Sequence, residues 1–382
     1  QHCQHRGLHQ AEKVIPIYLQ RGALHSALGA DLRAASAALQ DGSLPVPGAF
    51  LLRDVQQPRP YLAVSCSGES RQQRCDRLLG ETLGEQPGAL DDCLLIIAST
   101  SLDIDDLEQL IAAEGGFRPE HSTSLDLLAE DLRQRWGFAD AFTLNTACTS
   151  AANGLLYGAR MLAAGLYERV LVLAFETPSA IAQQGFGALD LTSPSGAYRP
   201  FHPERDGLIL GEAYAATLLS REPGKDPLAK LLGGFSACDT SNLTTTREDG
   251  SHIDWVMREA LRSAGVDAGQ IGLVKLHGTA TGANDRAESN GVRLLFGDAL
   301  PPLCVLKPWL GHTLGACGLS ETLLLVENLT RLPGVDYAAE ALLPLSAQPT
   351  SIAADSLLLA NFFGFGGNNA SLLLQRCAES QT

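Results

Sequence analysis

The sequence predicts an α/β fold whose sheets carry helices on both faces and whose chain is made of two duplicated halves. Two observations lead there. Short apolar runs rich in Leu and β-branched residues recur between longer helical patterns: VIPIYL (14–19), CLLIIAS (93–99), RVLVLAFE (169–176), AYAATLLS (213–220), LVKLHG (273–278) and SLLLANFFGFG (356–366). Strands that are apolar throughout belong to sheets buried on both sides, because a half-exposed strand alternates. The second observation is self-similarity. LNTACTSAANGLLYGARML (144–162) is a strand end, a Cys and a small-residue helix, followed by VLVLAFE and AYAATLLSR. LKPWLGHTLGACGLSETLLLVENL (306–329) has the same form, with His312 standing where Cys148 stands, and is followed by SLLLANFFGFG and ASLLLQR (370–376). Duplication of one unit would turn two related helix starts toward a shared centre. The polar, Pro-bearing stretch REPGKDP (221–227) is the best internal boundary, giving halves of 14–222 and 227–378.

Bulk properties narrow the function. The chain has 382 residues, 45% hydrophobic and 19% charged. That composition is globular, and the length buries a core without disulfide or metal staples. A net charge of −15 argues against nucleic acid, whose phosphates call for a basic face. Nine cysteines with no Cys-x-x-Cys pair read as reduced thiols of a cytoplasmic protein. No apolar run reaches the ~18–20 residues of a membrane helix. The opening residues, QHCQHRGLHQAEK, hold no signal-peptide segment. Their His2, Cys3, His5 and His9 read as a polar chain end, so no metal site is expected.

Chemistry concentrates at element ends. Cys148 lies between an apolar strand ending at Leu144 and the Ala-rich helical pattern from Ser150 to Leu162. Unpaired N–H groups at a helix start favour thiolate, so this thiol is expected to have a lowered pKa. Small neighbours leave room for a substrate, and the other eight cysteines lack this setting. His277 follows the run LVKL, and a Gly-Thr-rich loop carrying Thr279 and Thr281 leads on to Asp285 and Glu288. His312 occupies a second Gly-flanked helix start. Either His alone reads as structural; two of them with the Cys, each at an element end, read as a site. GFGGNN (364–369) lacks the endings of a phosphate or dinucleotide loop, and its backbone could bring an N–H to an oxyanion.

Five stretches, in this order, resemble the β-ketoacyl-acyl-carrier-protein synthases of the elongating, Cys-His-His type, in the thiolase superfamily. They are TACTSA, RPFHPERDGLILGE (199–212), HGTATGANDRAE (277–288), KPWLGHTLGACGLSE (307–321) and NFFGFGGNN (361–369). They span residues 144 to 369; before about residue 90 the resemblance is weak. The resemblance implies a five-layered αβαβα fold of two halves, and a homodimer or a heterodimer with another ketosynthase-like subunit. It implies that Cys148 takes an acyl chain from acyl carrier protein as a thioester. His277 and His312 would bind the malonyl thioester carbonyl and promote loss of carbon dioxide. Backbone N–H groups of Cys148 and Phe365 would form the oxyanion hole, with Phe365 as a gate. Lys307 would hold a polar network with Glu321 and Glu288.

No cofactor is implied beyond the carrier's phosphopantetheine arm. SRQQRCDR (70–77) resembles the family's basic helix near the pocket entrance, so Arg71 and Arg74, spaced i, i+3, are candidates for carrier docking. Pro308 and Trp309 after the lysine, and Phe362 and Phe363 before the gate, depart from the family pattern and bear on acyl chain length and shape. Thiolases carry a second catalytic Cys, and initiating synthases an Asn for the second His; His312 and a Cys-free 366–369 disfavour both. A partner subunit of the chain-length-factor kind remains the other reading, and such subunits usually lack the Cys.

Overall fold

The computed structural model describes residues 15–50, 58–64, 68–84, 88–116, 127–225, 227–242, 246–336 and 338–377. The N-terminal His2, Cys3, His5 and His9 lie outside these residues, as do the outermost residues of both expected halves. In chain order the first half comprises β1 (Ile17–Ser26), α1 (Leu32–Asp41), β2 (Gly48–Phe50), β3 (Arg59–Leu62), α2 (Arg71–Leu83), β4 (Cys93–Ala98), α3 (Ile104–Glu114), α4 (Leu127–Trp136), β5 (Asp140–Leu144), α5 (Ser150–Ala163), β6 (Arg169–Glu176), α6 (Ala180–Ala188), β7 (Leu210–Gly211) and β8 (Ala213–Ser220). The second comprises β9 (Ala229–Cys238), α7 (Ser251–Ala264), β10 (Ile271–Lys275), α8 (Gly282–Phe296), β11 (Leu303–Cys304), α9 (Lys307–Leu310), α10 (Cys317–Glu327), β12 (Leu357–Phe363) and β13 (Asn368–Arg376).

Ten of these strands form one sheet in the order β11-β10-β12-β13-β9-β1-β8-β6-β4-β5. Read outward from the middle, the two arms repeat each other. Each arm's first strand pairs antiparallel with its last, the last pairs antiparallel with the next, and the outer pairings are parallel. This is the duplication expected from sequence. The arms join where Ile17, Tyr18 and Leu19 pair with Leu231, Lys230 and Ala229.

Alternation along the strands generates the layers. In β4, Leu94, Ile96 and Ala98 pack in the central cluster with α5 and α10, while Cys93, Leu95 and Ile97 pack outward with α2 and α4. In β12, Leu358, Ala360 and Phe362 face the central layer, and Leu359 and Phe363 face the outer layer with α7 and α8. The outer helix α7 buries one stripe, Ile253, Val256, Met257, Ala260 and Leu261, as an amphipathic helix must. The central helices are different: α10 is buried from Cys317 through Val326. A helix buried on all sides has to lie between two sheet layers, here the two arms of the sheet. The result is helix, sheet arm, central helices, sheet arm, helix, the five layers that the family resemblance implied.

The two central helices start from matching turns. α5 begins at Ser150 and α10 at Cys317, and each is preceded by a non-glycine residue in the left-handed region, Ala147 (φ 54) and Leu314 (φ 39). Matching these turns puts Gly315 opposite Cys148 and His312 opposite Asn145. The expectation that His312 stands where Cys148 stands is therefore corrected by one turn of chain: the short helix α9 and Gly311 bring His312 in ahead of the helix start rather than on it.

α5 and α10 cross at Gly318, where a Cβ would lie 2.2 Å from Ala152 N and 2.9 Å from Ala151 C. No rotamer relieves a clash with backbone. Gly318→Ala is expected to lower stability by about 1–3 kcal/mol, read as a lower urea midpoint, while Gly165→Ala at an exposed left-handed turn serves as a comparison for backbone strain alone.

Candidate active site

The turn that carries Cys148 is built around hydroxyls. Ser150 Oγ donates to Ala147 O at 2.6 Å and accepts from Thr146 N at 2.9 Å. Asn153 Nδ2 donates to Thr146 Oγ1 at 2.9 Å. These bonds hold Ala147 in its left-handed conformation, a strain of about 1–3 kcal/mol that such sites store. Cys148 is then presented at the mouth of α5, 5% exposed. The Phe365 backbone N–H acts to favour its thiolate form, the weakest of the influences on it. Gly364 packs against the Cys148 N–H so closely that a Cβ there would lie 3.0 Å from that nitrogen. Phe365 itself packs against Phe186, the rings tilted by 31° with centroids 5.2 Å apart.

The two histidines are fixed by their backbones. His277 N and Gly278 N donate to the two oxygens of Glu288, at 2.6 and 2.9 Å. Thr279 N donates to Asp285 Oδ1 at 3.1 Å, and Phe201 N to Asp285 Oδ2 at 2.7 Å. Asp285 and Glu288 are one turn apart on α8 and together clamp the loop that carries His277. Thr279 and Thr281 share a hydrogen bond of 2.9 Å. His312 is held from the other side: its N–H donates to Ile209 O at 2.7 Å and its carbonyl accepts from Gly211 N at 3.1 Å. The stretch RPFHPERDGLILGE thus supports His312, and Gly211 is needed because a Cβ there would lie 2.2 Å from Leu310 O. The imidazoles meet edge to face with centroids 5.3 Å apart.

Cys148, His277, His312, Thr279, Thr281 and Phe365 line one cavity of about 140 Å³. Asp285 and Glu288 lie behind it as clamps. Lys307 is fully buried and ion-paired to Glu321. Glu288 takes no part in that pair, contrary to the expectation for Lys307, because both its oxygens are occupied by the 277–278 backbone. Pro308 and Trp309 leave the lysine at the first position of α9. Phe363 lines the cavity with its ring 5.7 Å from His277, whereas Phe362 points to the central layer and does not crowd the site.

Burial sets the protonation states. It pushes the pKa of both imidazoles well below the ordinary value, and Lys307 adds to this. Burial therefore favours the neutral form of both rings. Burial also pushes the Cys148 thiol far above its ordinary value, with Cys317 adding to the rise and Lys307 opposing it. This is opposite to the lowered pKa expected of a helix start: in this enclosed cavity desolvation is the largest influence and favours the thiol.

Arg71 and Arg74 do not form an exposed basic patch. Arg71 is ion-paired to Asp105 at 2.6 Å and to Asp106 at 2.5 Å, and Arg74 to Glu212 at 2.5 Å, their side chains 11% and 12% exposed. Arg74 also lies 5.3 Å from the centre of the Tyr214 ring. An i, i+3 spacing put both on one face of α2, but that face turns inward.

Two buried groups escaped the sequence reading. Glu176, ending β6, accepts from Thr100 N, from Ser101 Oγ at 2.7 Å and from Gly315 N at 3.1 Å. It ties the start of α10 to the loop after β4. Lys275 pairs with Glu321 from the side opposite Lys307. A lysine inside the apolar run LVKLHG was the available signal. Among the described residues, no helix is long and apolar enough to cross a membrane.

Comparison with known proteins agrees with this geometry. A family model for the β-ketoacyl synthase N-terminal domain matches residues 132–224, and one for the β-ketoacyl synthase C-terminal domain matches 228–331. The 3-oxoacyl-[acyl-carrier-protein] synthase 2 of Vibrio cholerae is 30% identical over 282 residues, 67% of this chain and 67% of that protein. Its namesake from Vibrio harveyi is 31% identical over 282 residues, 68% of this chain and 67% of that protein. A chain from the complex of the ketosynthase ApeO with its chain length factor ApeC, from Xenorhabdus doucetiae, has a TM-score of 0.80 at 26% identity, covering 95% of this chain and 98% of its own. A β-ketoacyl synthase from Burkholderia phymatum shares the fold, with a TM-score of 0.82 at 22% identity, covering 95% of this chain and 100% of its own.

Glu176 gives a pH signature. Burial raises its pKa from 4.5 to about 7 despite its hydrogen bonds, so the folded protein keeps a proton that the unfolded chain has lost. Its contribution to stability is complete below the unfolded value and fades as pH rises through the folded one. Glu176→Gln removes that dependence. Between pH 4.5 and 7 the wild type is expected to lose stability relative to the variant, by on the order of 3 kcal/mol in all. Urea unfolding of both proteins across that window measures it; parallel curves would mean that the carboxyl is already ionised.

Proposed function

Because the chain belongs to the β-ketoacyl synthase family, we propose that it acts as a 3-oxoacyl-[acyl-carrier-protein] synthase with Cys148 as its nucleophile. The observation that carries this reading is the convergence of Cys148, His277 and His312 on one cavity. The thiol attacks the acyl thioester of a carrier protein; the tetrahedral oxyanion is held by the N–H groups of Cys148 and Phe365, and the carrier thiol leaves with the proton. Malonyl-carrier protein then enters. Its thioester oxygen accepts hydrogen bonds from the two neutral imidazoles, which stabilise the enolate as the carbon–carbon bond to the carboxyl breaks and carbon dioxide departs. The enolate carbon attacks acyl-Cys148. Collapse releases the 3-oxoacyl product and returns the thiolate, which takes up a proton.

Each residue has a place in this scheme. Neutral imidazoles suit donation to an enolate, and the buried Lys307–Glu321 pair supplies a fixed field beside them. Thr279, Thr281, Asp285 and Glu288 orient the His277 loop. The cavity of about 140 Å³ is below the ~300 Å³ of the smallest drug-sized pockets, so a long acyl chain requires Phe365 to leave Phe186. No cofactor is called for beyond the carrier's phosphopantetheine arm. A cytoplasmic setting suits the reaction, because the cysteines free among the described residues include the nucleophile.

β5 pairs only with β4 among the described residues, so it ends the sheet. An unpaired edge invites a second subunit, either another copy or a ketosynthase-like partner such as the chain length factor in the Xenorhabdus complex. The complete Cys-His-His set favours the condensing role over the partner role in either dimer.

Incubation with acyl-carrier proteins, followed by intact-mass measurement, tests the assignment. Wild type is expected to gain one acyl group and Cys148→Ala none. His277→Ala and His312→Ala are expected to keep the acyl adduct but lose malonyl decarboxylation by about 10²–10³-fold, the usual cost of one oxyanion donor. Acylation that persists in Cys148→Ala would overturn the nucleophile.

A further inference from the structure

Lys275 ends β10, two residues before His277, and its side chain is fully buried on the face turned to the central helices. Its Nζ lies 2.5 Å from Glu321 Oε2, donates to Asn361 O at 2.9 Å and sits 3.7 Å from the centre of the Phe362 ring. A carboxylate, a carbonyl and an aromatic face all favour a cation. Glu321's other oxygen holds Lys307, and none of the three side chains is exposed. Burial pulls the Lys275 pKa below its ordinary value and Lys307 adds to this, while Glu321 opposes both; with these contacts holding it as an ammonium, two cations share one carboxylate.

We propose that Lys275 is an electrostatic positioning residue for the condensation: sharing Glu321 with Lys307, it leaves one net positive charge buried behind His277 and His312. That charge holds the imidazoles in the neutral donor form and offsets the carboxylate of an incoming malonyl group. This inference rests on the condensing-enzyme reading given above.

The surroundings of His277 support the assignment. Lys307, His312 and Lys275 all act against its protonation, after burial itself. Glu288 and Asp285 of α8 are engaged by backbone N–H groups, and burial raises both carboxyls, to about 7 and about 6, so they set less negative charge against the lysines than free carboxylates would. Glu321 lies behind the lysines that it pairs with, and Cys148 faces His277 across the cavity. A malonyl carboxylate brings one negative charge into this enclosed space. Against a neutral Lys–Glu pair it would be an uncompensated buried charge; against two lysines and one glutamate it is balanced. A neutral acyl primer makes no such demand.

The test compares wild type with Lys275→Met, Lys275→Gln and Lys275→Arg, using malonyl-carrier decarboxylation against pH and the rate of Cys148 acylation. In the Met and Gln variants the acid limb is expected to move to higher pH by about 1 unit, because losing a nearby positive charge lets the imidazoles take protons more readily. The malonyl step should slow by roughly 10-fold or more, Cys148 acylation should change by less than about 3-fold, and Lys275→Arg should restore most of the loss. A folded Met or Gln variant with the wild-type acid limb and malonyl KM overturns the inference. Wild type alone provides a check that needs no variant: an acid limb at the ordinary His value of about 6.5 also overturns it. A wild type that neither takes an acyl group nor decarboxylates malonyl overturns the functional reading itself.

Discussion

The approach of α5 to α10 at Gly318 is closer than any side chain permits, since a Cβ there would lie 2.2 Å from Ala152 N. The rest of the site follows from that contact. Helices this close bring their starting turns together, and Cys317 Sγ donates to Cys148 O at 3.0 Å across the junction. Each half alone would present one strained turn at the end of a strand. Two halves back to back enclose a cavity lined by both, with Cys148 from one and the histidines from the other. Small residues along both helices are therefore a geometric requirement of the chemistry as well as of the packing.

Enclosure has an electrostatic consequence. With little water inside, every group in the cavity adopts the neutral form unless a partner is built for its charge. The imidazoles have none and stay neutral, which suits hydrogen-bond donation. The thiol has Phe365 N–H and Lys307 on its side but is outweighed by burial. In the proposed reaction such a thiol is less prone to oxidation than a thiolate, and the oxyanion donors would stabilise the charge that develops on the thioester oxygen. Burial is the largest influence on Lys307 and acts against its charge, but Glu321, with Cys317 and Cys148 adding, turns the balance and raises its pKa.

Much of this was legible in the sequence, and the reasons are local. Apolar runs gave the strands because both faces of each are buried; β4 is buried at all six positions. Cys148, His277 and His312 were legible because each sits where a strand or loop hands over to a helix, and none is a residue type that commonly caps one. The offset between His312 and Cys148 was not legible, because α9 is a single turn of four residues, KPWL, whose helical period is too short to read. The direction of Arg71 and Arg74 was hidden for a different reason. Spacing places two residues on one helix face but does not say which face turns inward, and that depends on Asp105, Asp106 and Glu212, distant in sequence. Burial likewise reversed the thiol expectation, because desolvation is a property of the assembled cavity and a helix start is a property of the chain.

Phe362 and Phe363 carry the last step. As adjacent strand residues they face opposite layers, so only Phe363 touches the substrate space. Phe362 instead offers its ring to Lys275 in the central layer. The pair of aromatics that sequence suggested would crowd the acyl chain is thus divided between two tasks. One ring walls the cavity beside His277; the other helps to hold a buried cation that Glu321 alone would have to share between two lysines. A strand that both shapes the pocket and supports its charge links substrate fit to electrostatics: a change in the register of β12 would swap the two faces, exposing the cavity to Phe362 and removing the ring from Lys275 at once.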